Sequence, residues 1–457
     1  MSRVLIATNE VIGPQMAGPA IRCAELARQL QHAGHAVIVL GGAGTRSPES
    51  ELDVRPSPGP AQLRALALSQ AVILVQGLAL RQHPELAAPG VPLVVDLYDP
   101  FPLALLEQER QRAEAERWAL SREISGVSRE LLLSGDFFIC ASERQRDLWV
   151  GALMALGRIN PATWAADDSL RHLIDVVPFG LPGAPLRLAP DEPSPYPEAV
   201  SGDDLVLLWA GGIYNWFDPL TLIRAVAQVA NSQPRVKLLF MATGHPNPGV
   251  PPRMWMPQRA IELARELGVL DTHVFFNREW VPYEKRGEWL GRATWGVSTH
   301  FDHAETRFSF RTRVLDYLWA GLPILATRGD VLADLIETSG LGWTVPAEDV
   351  VALVAALGEM VRTAADHGSM RERIAKVASE FTWTRASQPL LAFCQTPWQA
   401  ADQPLARSRY LTGARAASVQ GRVAAGLARR GLASVRSRGL AATASEVLRW
   451  WRRRRRA

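Results

Sequence analysis

Cysteine is scarce: Cys23, Cys140 and Cys394 are the only three in 457 residues. Their wide spacing excludes a disulfide framework and a metal knuckle, and it fits a reducing cytoplasm. Cys140, following Phe137-Phe138-Ile139, reads as a small core residue. No run of about 18 apolar residues occurs, so no bilayer-spanning helix is expected. The short apolar run Val4-Leu5-Ile6-Ala7 reads as a buried first strand rather than a signal peptide. Hydrophobic content of 47% with 21% charge excludes a disordered chain, a collagen-like one and a coiled coil. The length suggests two or three domains.

What is present is unevenly distributed. Residues 405–457 hold 14 arginines, no lysine and one acid, Glu446, for a charge of +13. The other 404 residues keep 36 of the 50 basic and 45 of the 46 acidic groups, for a charge of −9. An acidic body therefore carries a basic tail, and such a tail suits an anionic partner.

The first half alternates short apolar runs with helical patterns. Strands are expected at Val4–Ala7, His35–Leu40, Ala71–Val75, Pro92–Leu97, Asp136–Ala141 and Asp175–Pro178. Helices are expected at 20–33, over one long stretch at 103–133, and at 143–156. Six prolines between Pro182 and Pro197 then exclude a continuous helix or central strand, which predicts a linker over 183–203. The alternation restarts with strands at Leu205–Trp209, Val236–Met241, His273–Phe276, Trp295–Ser298 and Pro323–Ala326. Asp218-Pro219 is an N-cap and N1 proline opening a helix through Val229. Helices follow at 259–267, 313–319 and 331–338. Such alternation predicts right-handed crossovers and two parallel sheets, with ligands outside the carboxyl ends of the strands.

One segment carries the chemistry: Arg313-Val314-Leu315-Asp316-Tyr317-Leu318-Trp319-Ala320-Gly321-Leu322-Pro323. It resembles the donor-binding helix of family 4 retaining glycosyltransferases, which have the GT-B fold. Further pieces lie in the expected order: Leu208-Trp209-Ala210-Gly211-Gly212, Phe240-Met241-Ala242-Thr243-Gly244, Val176-Val177-Pro178-Phe179-Gly180, Ile139-Cys140-Ala141-Ser142-Glu143, and Gly18 in a first glycine loop. The resemblance covers about residues 3–395. It implies an α/β protein with two Rossmann-like, doubly wound parallel-sheet domains facing a cleft. The acceptor-side domain would span 1–182 and the nucleotide-sugar domain 204–380, with a crossover helix region at 381–404 and a basic helical tail at 405–457. A nucleotide-diphosphate sugar is then the donor, no further cofactor is needed, and the acceptor is an envelope glycan or a lipid-linked saccharide.

The site residues follow from that frame and from their chemistry. The Asp316 carboxylate has two acceptor oxygens for a ribose diol. The helix start and Arg307, Arg311 and Arg313, with Ser309 between them, suit a diphosphate. Gly211, Gly212 and Gly18 are expected against the donor, and Gly18 permits close backbone approach. Trp280 is a candidate flank for the base, or a core aromatic. The family has two glutamates separated by seven residues; here Phe308 stands eight before Asp316, and the upstream acid is Glu305. Glu305 is the candidate for the sugar-contacting role. The family's Arg and Lys after the glycine turn are replaced by Ile213-Tyr214-Asn215-Trp216-Phe217. Asp96 and Asp99 are candidates for orienting or deprotonating the acceptor, or for a strand-end turn at Asp99-Pro100.

No metal is expected. No Asp-x-Asp follows an apolar strand, and His300, Asp302, His303 and Glu305 lie in one short loop, which rarely wraps a metal alone. The tail, ending in Arg449-Trp450-Trp451 and five arginines, suits the headgroup layer of an anionic membrane. Nucleic acid and a solvated extension are the alternatives for it. A cytoplasmic enzyme, peripheral at the inner face of the cell membrane, is expected. Two other functions stay open: an epimerase or phosphorylase on the same architecture, and a non-catalytic scaffold.

Overall fold

The computed structural model describes residues 1–46, 52–188, 193–243 and 254–403. The tail at 405–457 lies outside them. The first domain is a seven-stranded parallel sheet of β1 (Arg3–Ala7), β2 (Ala36–Gly41), β3 (Asp53–Pro56), β4 (Val72–Gln76), β5 (Leu93–Asp96), β6 (Phe137–Cys140) and β7 (Ile174–Val176), in the order β3-β2-β1-β4-β5-β6-β7. The second is a six-stranded parallel sheet of β8 (Leu205–Trp209), β9 (Val236–Phe240), β10 (Val274–Phe276), β11 (Trp295–Ser298), β12 (Ile324–Thr327) and β13 (Gly342–Val345), in the order β10-β9-β8-β11-β12-β13. The central strands are largely apolar runs because helices cover both faces of each sheet. Val72, Ile73, Leu74 and Val75 of β4, for example, are all fully buried.

Each sheet reverses its order once, after β1 and after β8, and the cleft opens beside these switch points. Asp218 caps the Pro219–Val229 helix by accepting from the Thr221 N–H at 3.0 Å. One apolar cluster runs from Val4 and Ile6 through Phe179, Leu181 and Trp383 to Leu208 and Ile324, so the two sheets share packing at the crossover. There Leu181 and Thr382 form a parallel bridge. A Cβ on Gly180 would meet the Trp383 ring at 2.5 Å, so glycine is needed at that position. The chain then returns to the first domain, where Phe393 stacks on Phe137 at 4.9 Å and Ser2 Oγ donates to the Cys394 carbonyl at 2.8 Å.

The described parts of the linker are tied down. Leu186 and Leu188 fit against Gly287 and Gly291, the Trp319 Nε1 donates to Ala184 O at 2.8 Å, and the Tyr196 hydroxyl donates to Trp289 O at 2.6 Å. Two expectations need correction. The stretch 103–133 is two helices, Phe101–Gln108 and Glu114–Ser134, separated where buried Glu109 pairs with Arg112. The edge strands β3 and β13 were not foreseen: only Val54 of the four β3 residues and Val345 of the four β13 residues are buried, so neither has an apolar pattern to read.

Candidate active site

The floor of the cleft is built by the second domain. After β8 the backbone turns at Gly211, whose φ of +88° is the left-handed conformation that favours glycine. Behind this turn stands the buried Tyr317, whose hydroxyl accepts from the Ala210 N–H at 3.0 Å and lies within hydrogen-bond reach of Leu208 O and Val297 O. Its ring fits only because β11 has glycine at 296, where a Cβ would come within 2.2 Å of Tyr317 Cγ. Tyr317 thus fixes the Arg313–Trp319 helix against the β8 and β11 ends.

Arg313 begins that helix. Its guanidinium lies 4.0 Å from the Phe217 ring centre and 4.5 Å from that of Trp209, and Nη2 donates to Gly212 O at 3.0 Å. Burial lowers its pKa to about 10, which leaves it charged at neutral pH. Its Nη1 is buried without a hydrogen-bond partner. One turn on, the Asp316 carboxylate lines the cleft with 27% of its side chain exposed. Its Oδ1 accepts from Arg286 Nε at 2.9 Å. Arg286, from the short Arg286–Leu290 helix, is clamped between the rings of Tyr283 (3.5 Å) and Trp319 (4.6 Å), and Nη1 donates to Tyr283 O at 2.7 Å. The Arg286 Nη2 is buried and has no hydrogen-bond partner.

These groups line one cavity of about 810 Å³. Gly211, Gly212, Trp280, Asp316 and Arg313 contribute from the second domain, and Gly18, Tyr98 and Asp99 from the first. Gly18 starts the Gly18–His32 helix, and a Cβ there would sit 3.6 Å from the Tyr98 hydroxyl. The Asp99 carboxyl is pushed up to about 7, first by burial and next by Glu305, with Arg311 opposing. A carboxyl of that pKa exchanges its proton near neutrality.

Five expected contacts are placed elsewhere. Residues Ala304–Phe308 form a helical turn, capped by His303 Nδ1 accepting from the Thr306 N–H at 3.2 Å. This turns Glu305 inward, where both oxygens bind Arg311 (3.0 and 2.7 Å) and Oε1 also receives the Ser309 hydroxyl. Arg311 reaches Asp330 at 4.0 Å, and Asp330 in turn pairs with His300 at 3.2 Å. Burial pushes the Asp330 carboxyl upward, but hydrogen bonding to His300 and the charge of Arg311 outweigh it, and its pKa is lowered. Glu305, Ser309 and Arg311 therefore compensate one another behind the cavity wall rather than lining it. Arg307 is exposed and also outside the lining. Asp96 is held bidentately by the fully buried Arg22 (2.7 and 3.1 Å), which also donates to Val177 O and Pro178 O. Asp96 is thus a structural residue, and Asp99 alone of the two faces the cavity.

Arg286 was the residue the sequence concealed. It lies 30 positions before its partner, and no local pattern singles it out. Among the described residues, no group of three His, Cys, Asp or Glu is placed to hold a metal, and no helix is long and apolar enough to cross a membrane.

Comparison with known proteins bears on this geometry. Residues 204–363 match the sequence profile described as glycosyl transferases group 1. No curated protein sequence matches the chain. Among solved structures, HepE from Anabaena in complex with UDP and glucose shares the fold at a TM-score of 0.60 and 12% identity, covering 86% of this chain and all of that one (100%). Sucrose-phosphate synthase from Thermosynechococcus elongatus aligns at 0.57 and 16% identity, over 86% of this chain and 98% of that one. WaaG, described as a glycosyltransferase involved in lipopolysaccharide biosynthesis, aligns at 0.54 and 15% identity, over 87% and 98%. The two sheets facing a cleft are the GT-B fold.

Proposed function

We propose, from a second domain that belongs to the glycosyl transferases group 1, that the cleft binds a nucleotide-diphosphate sugar and transfers the sugar to a glycan or lipid-linked acceptor. One observation carries this reading. Two buried guanidinium groups, Arg286 and Arg313, each keep a nitrogen without a hydrogen-bond partner beside the Asp316 carboxylate, in one cavity. Buried charged donors left unsatisfied are costly, and a diphosphate would satisfy them. Asp316, steadied by Arg286, takes the ribose hydroxyls. The UDP and UDP-glucose held by HepE, on the same fold, support a donor of this class.

The transfer breaks the bond between the anomeric carbon and the diphosphate oxygen and forms one to the acceptor oxygen on the same face, with retention. Charge developing on the departing diphosphate meets Arg313 and Arg286, donors fixed before the reaction begins. The acceptor proton passes to Asp99. Glu305, which raises the Asp99 pKa from behind the wall, is a positioning residue. The arginines take the charge-neutralising role, so transfer is expected to persist in EDTA. The arginine-rich tail anchors the enzyme peripherally at the inner face of the cell membrane.

Incubation with radiolabelled UDP-, GDP- and dTDP-sugars tests the reading. At least one donor binds and turns over, and Asp316→Ala abolishes both. Binding of none to the wild-type protein overturns it. The engagement of Glu305 by Arg311 and Ser309 favours one second reading, a non-catalytic scaffold, which would bind a donor and turn over none.

A further inference from the structure

We infer that the Tyr214-Asn215-Trp216 loop is a stacking platform for a pyranose ring of the acceptor, a saccharide subsite within the cavity that holds the donor. Trp209, Phe217, Phe240 and Trp295 of the same domain are buried in its core. Tyr214 and Trp216 are not: both are half-buried and both line the cavity. Their rings stack at 5.0 Å and 18°. Phe217 supports them from below at 6.0 and 6.1 Å, and Arg313 covers Phe217.

The loop is held rigid for this purpose. Asn215 Oδ1 accepts from the Trp255 and Met256 N–H groups at 3.1 and 3.3 Å, while Nδ2 donates across the cleft to Gln108 O at 3.1 Å. Gln108, Gln258 and Arg265 line the same cavity and supply polar groups to it. An aromatic floor with a polar rim matches a sugar ring, which has an apolar C–H face and hydroxyls at its edge.

Position decides between a sugar and a nucleobase. The loop follows directly on Gly211-Gly212, and its Phe217 base touches Arg313, so it adjoins the diphosphate end of the donor rather than the ribose end at Asp316. It also reaches the first domain through Gln108, the side from which the acceptor enters. The inference rests on the donor-site reading given above.

The test uses the full-length protein, with maltose, cellobiose, lactose and chitobiose as saccharide probes. Each is titrated against intrinsic tryptophan fluorescence with UDP present, and UDP binding is measured separately by calorimetry. Wild type is expected to bind at least one saccharide saturably. Trp216→Ala and Tyr214→Ala should weaken it roughly tenfold, a loss of about 1.4 kcal/mol. Trp216→Phe should keep it within a few-fold, which separates loss of a ring from loss of the fold. UDP affinity should change less than about twofold in all three, well under that tenfold step. Saturation by none of the four saccharides, or an unchanged saccharide affinity in both alanine variants, overturns the platform. A tenfold loss of UDP affinity in those variants also overturns it, by making the loop a nucleobase site. Failure of UDP, and of GDP and dTDP titrated in its place, to bind the wild type instead strikes the donor reading, and is seen separately.

Discussion

Asp316 and Arg286 act as a unit, because the arginine fixes one carboxylate oxygen and is itself fixed by two rings. Replacing Asp316 by Asn removes charge-assisted bonds of roughly 1.5–3 kcal/mol each, so nucleotide affinity should fall about 10- to 100-fold by calorimetry. Arg286→Lys should recover only part of what Arg286→Ala loses, since an ammonium cannot bond Asp316 and Tyr283 O and stack between rings together. Asp99 gives a prediction of opposite signs for activity and stability. Its carboxyl is raised to about 7, so the folded chain holds the proton more tightly than the unfolded chain. The stability this contributes is complete below about pH 4, declines as pH rises, and is gone above about 7. Thermal unfolding should therefore show Asp99→Asn more stable than wild type at pH 8, with the gap closing toward pH 4. The same substitution should lower kcat/KM and remove the limb that rises through about pH 7 in the wild-type profile.

At the scale of elements, the site depends on how the Arg313–Trp319 helix is fastened. Tyr317→Phe leaves the buried Ala210 N–H without its acceptor and should cost about 1–3 kcal/mol in urea unfolding. Gly296→Ala drives a methyl into the Tyr317 ring and should cost a similar or larger amount, through overpacking of about 1–3 kcal/mol or more. These elements were legible in the sequence: β11 and the 313–319 helix have the bounds that the apolar pattern predicts, because buried parallel strands are continuous apolar runs. Asp316, Arg313, Gly211, Gly212, Gly18, Trp280 and Asp99 were named from sequence, and all line the cavity. What stayed hidden was pairing. Nothing in residues 305–311 reveals that Glu305 will bind Arg311 and not a ligand, since a turn capped by His303 decides it. The break between the 101–108 and 114–134 helices has no glycine or proline to announce it, and rests on the Glu109–Arg112 pair.

At the scale of the whole molecule, the two domains touch through few polar links. The buried Gln145 donates to Tyr98 O at 2.7 Å in the first domain and to Phe308 O at 2.9 Å in the second. Gln145→Ala should loosen this side of the cleft and raise KM for both substrates more than it lowers kcat. The charge asymmetry makes a separate prediction: a chain ending at residue 404 should lose flotation with anionic vesicles, in a salt-dependent way, yet keep its nucleotide affinity. The most direct measurement is calorimetric titration of UDP and GDP, each beside its 2′-deoxy counterpart, into wild type and Asp316→Asn. Wild type should prefer the ribonucleotide of one pair by about tenfold, worth about 1.4 kcal/mol, and the variant should not discriminate. Equal affinities for ribo and deoxy forms in the wild-type protein, or binding of neither nucleotide, would contradict the donor-site reading.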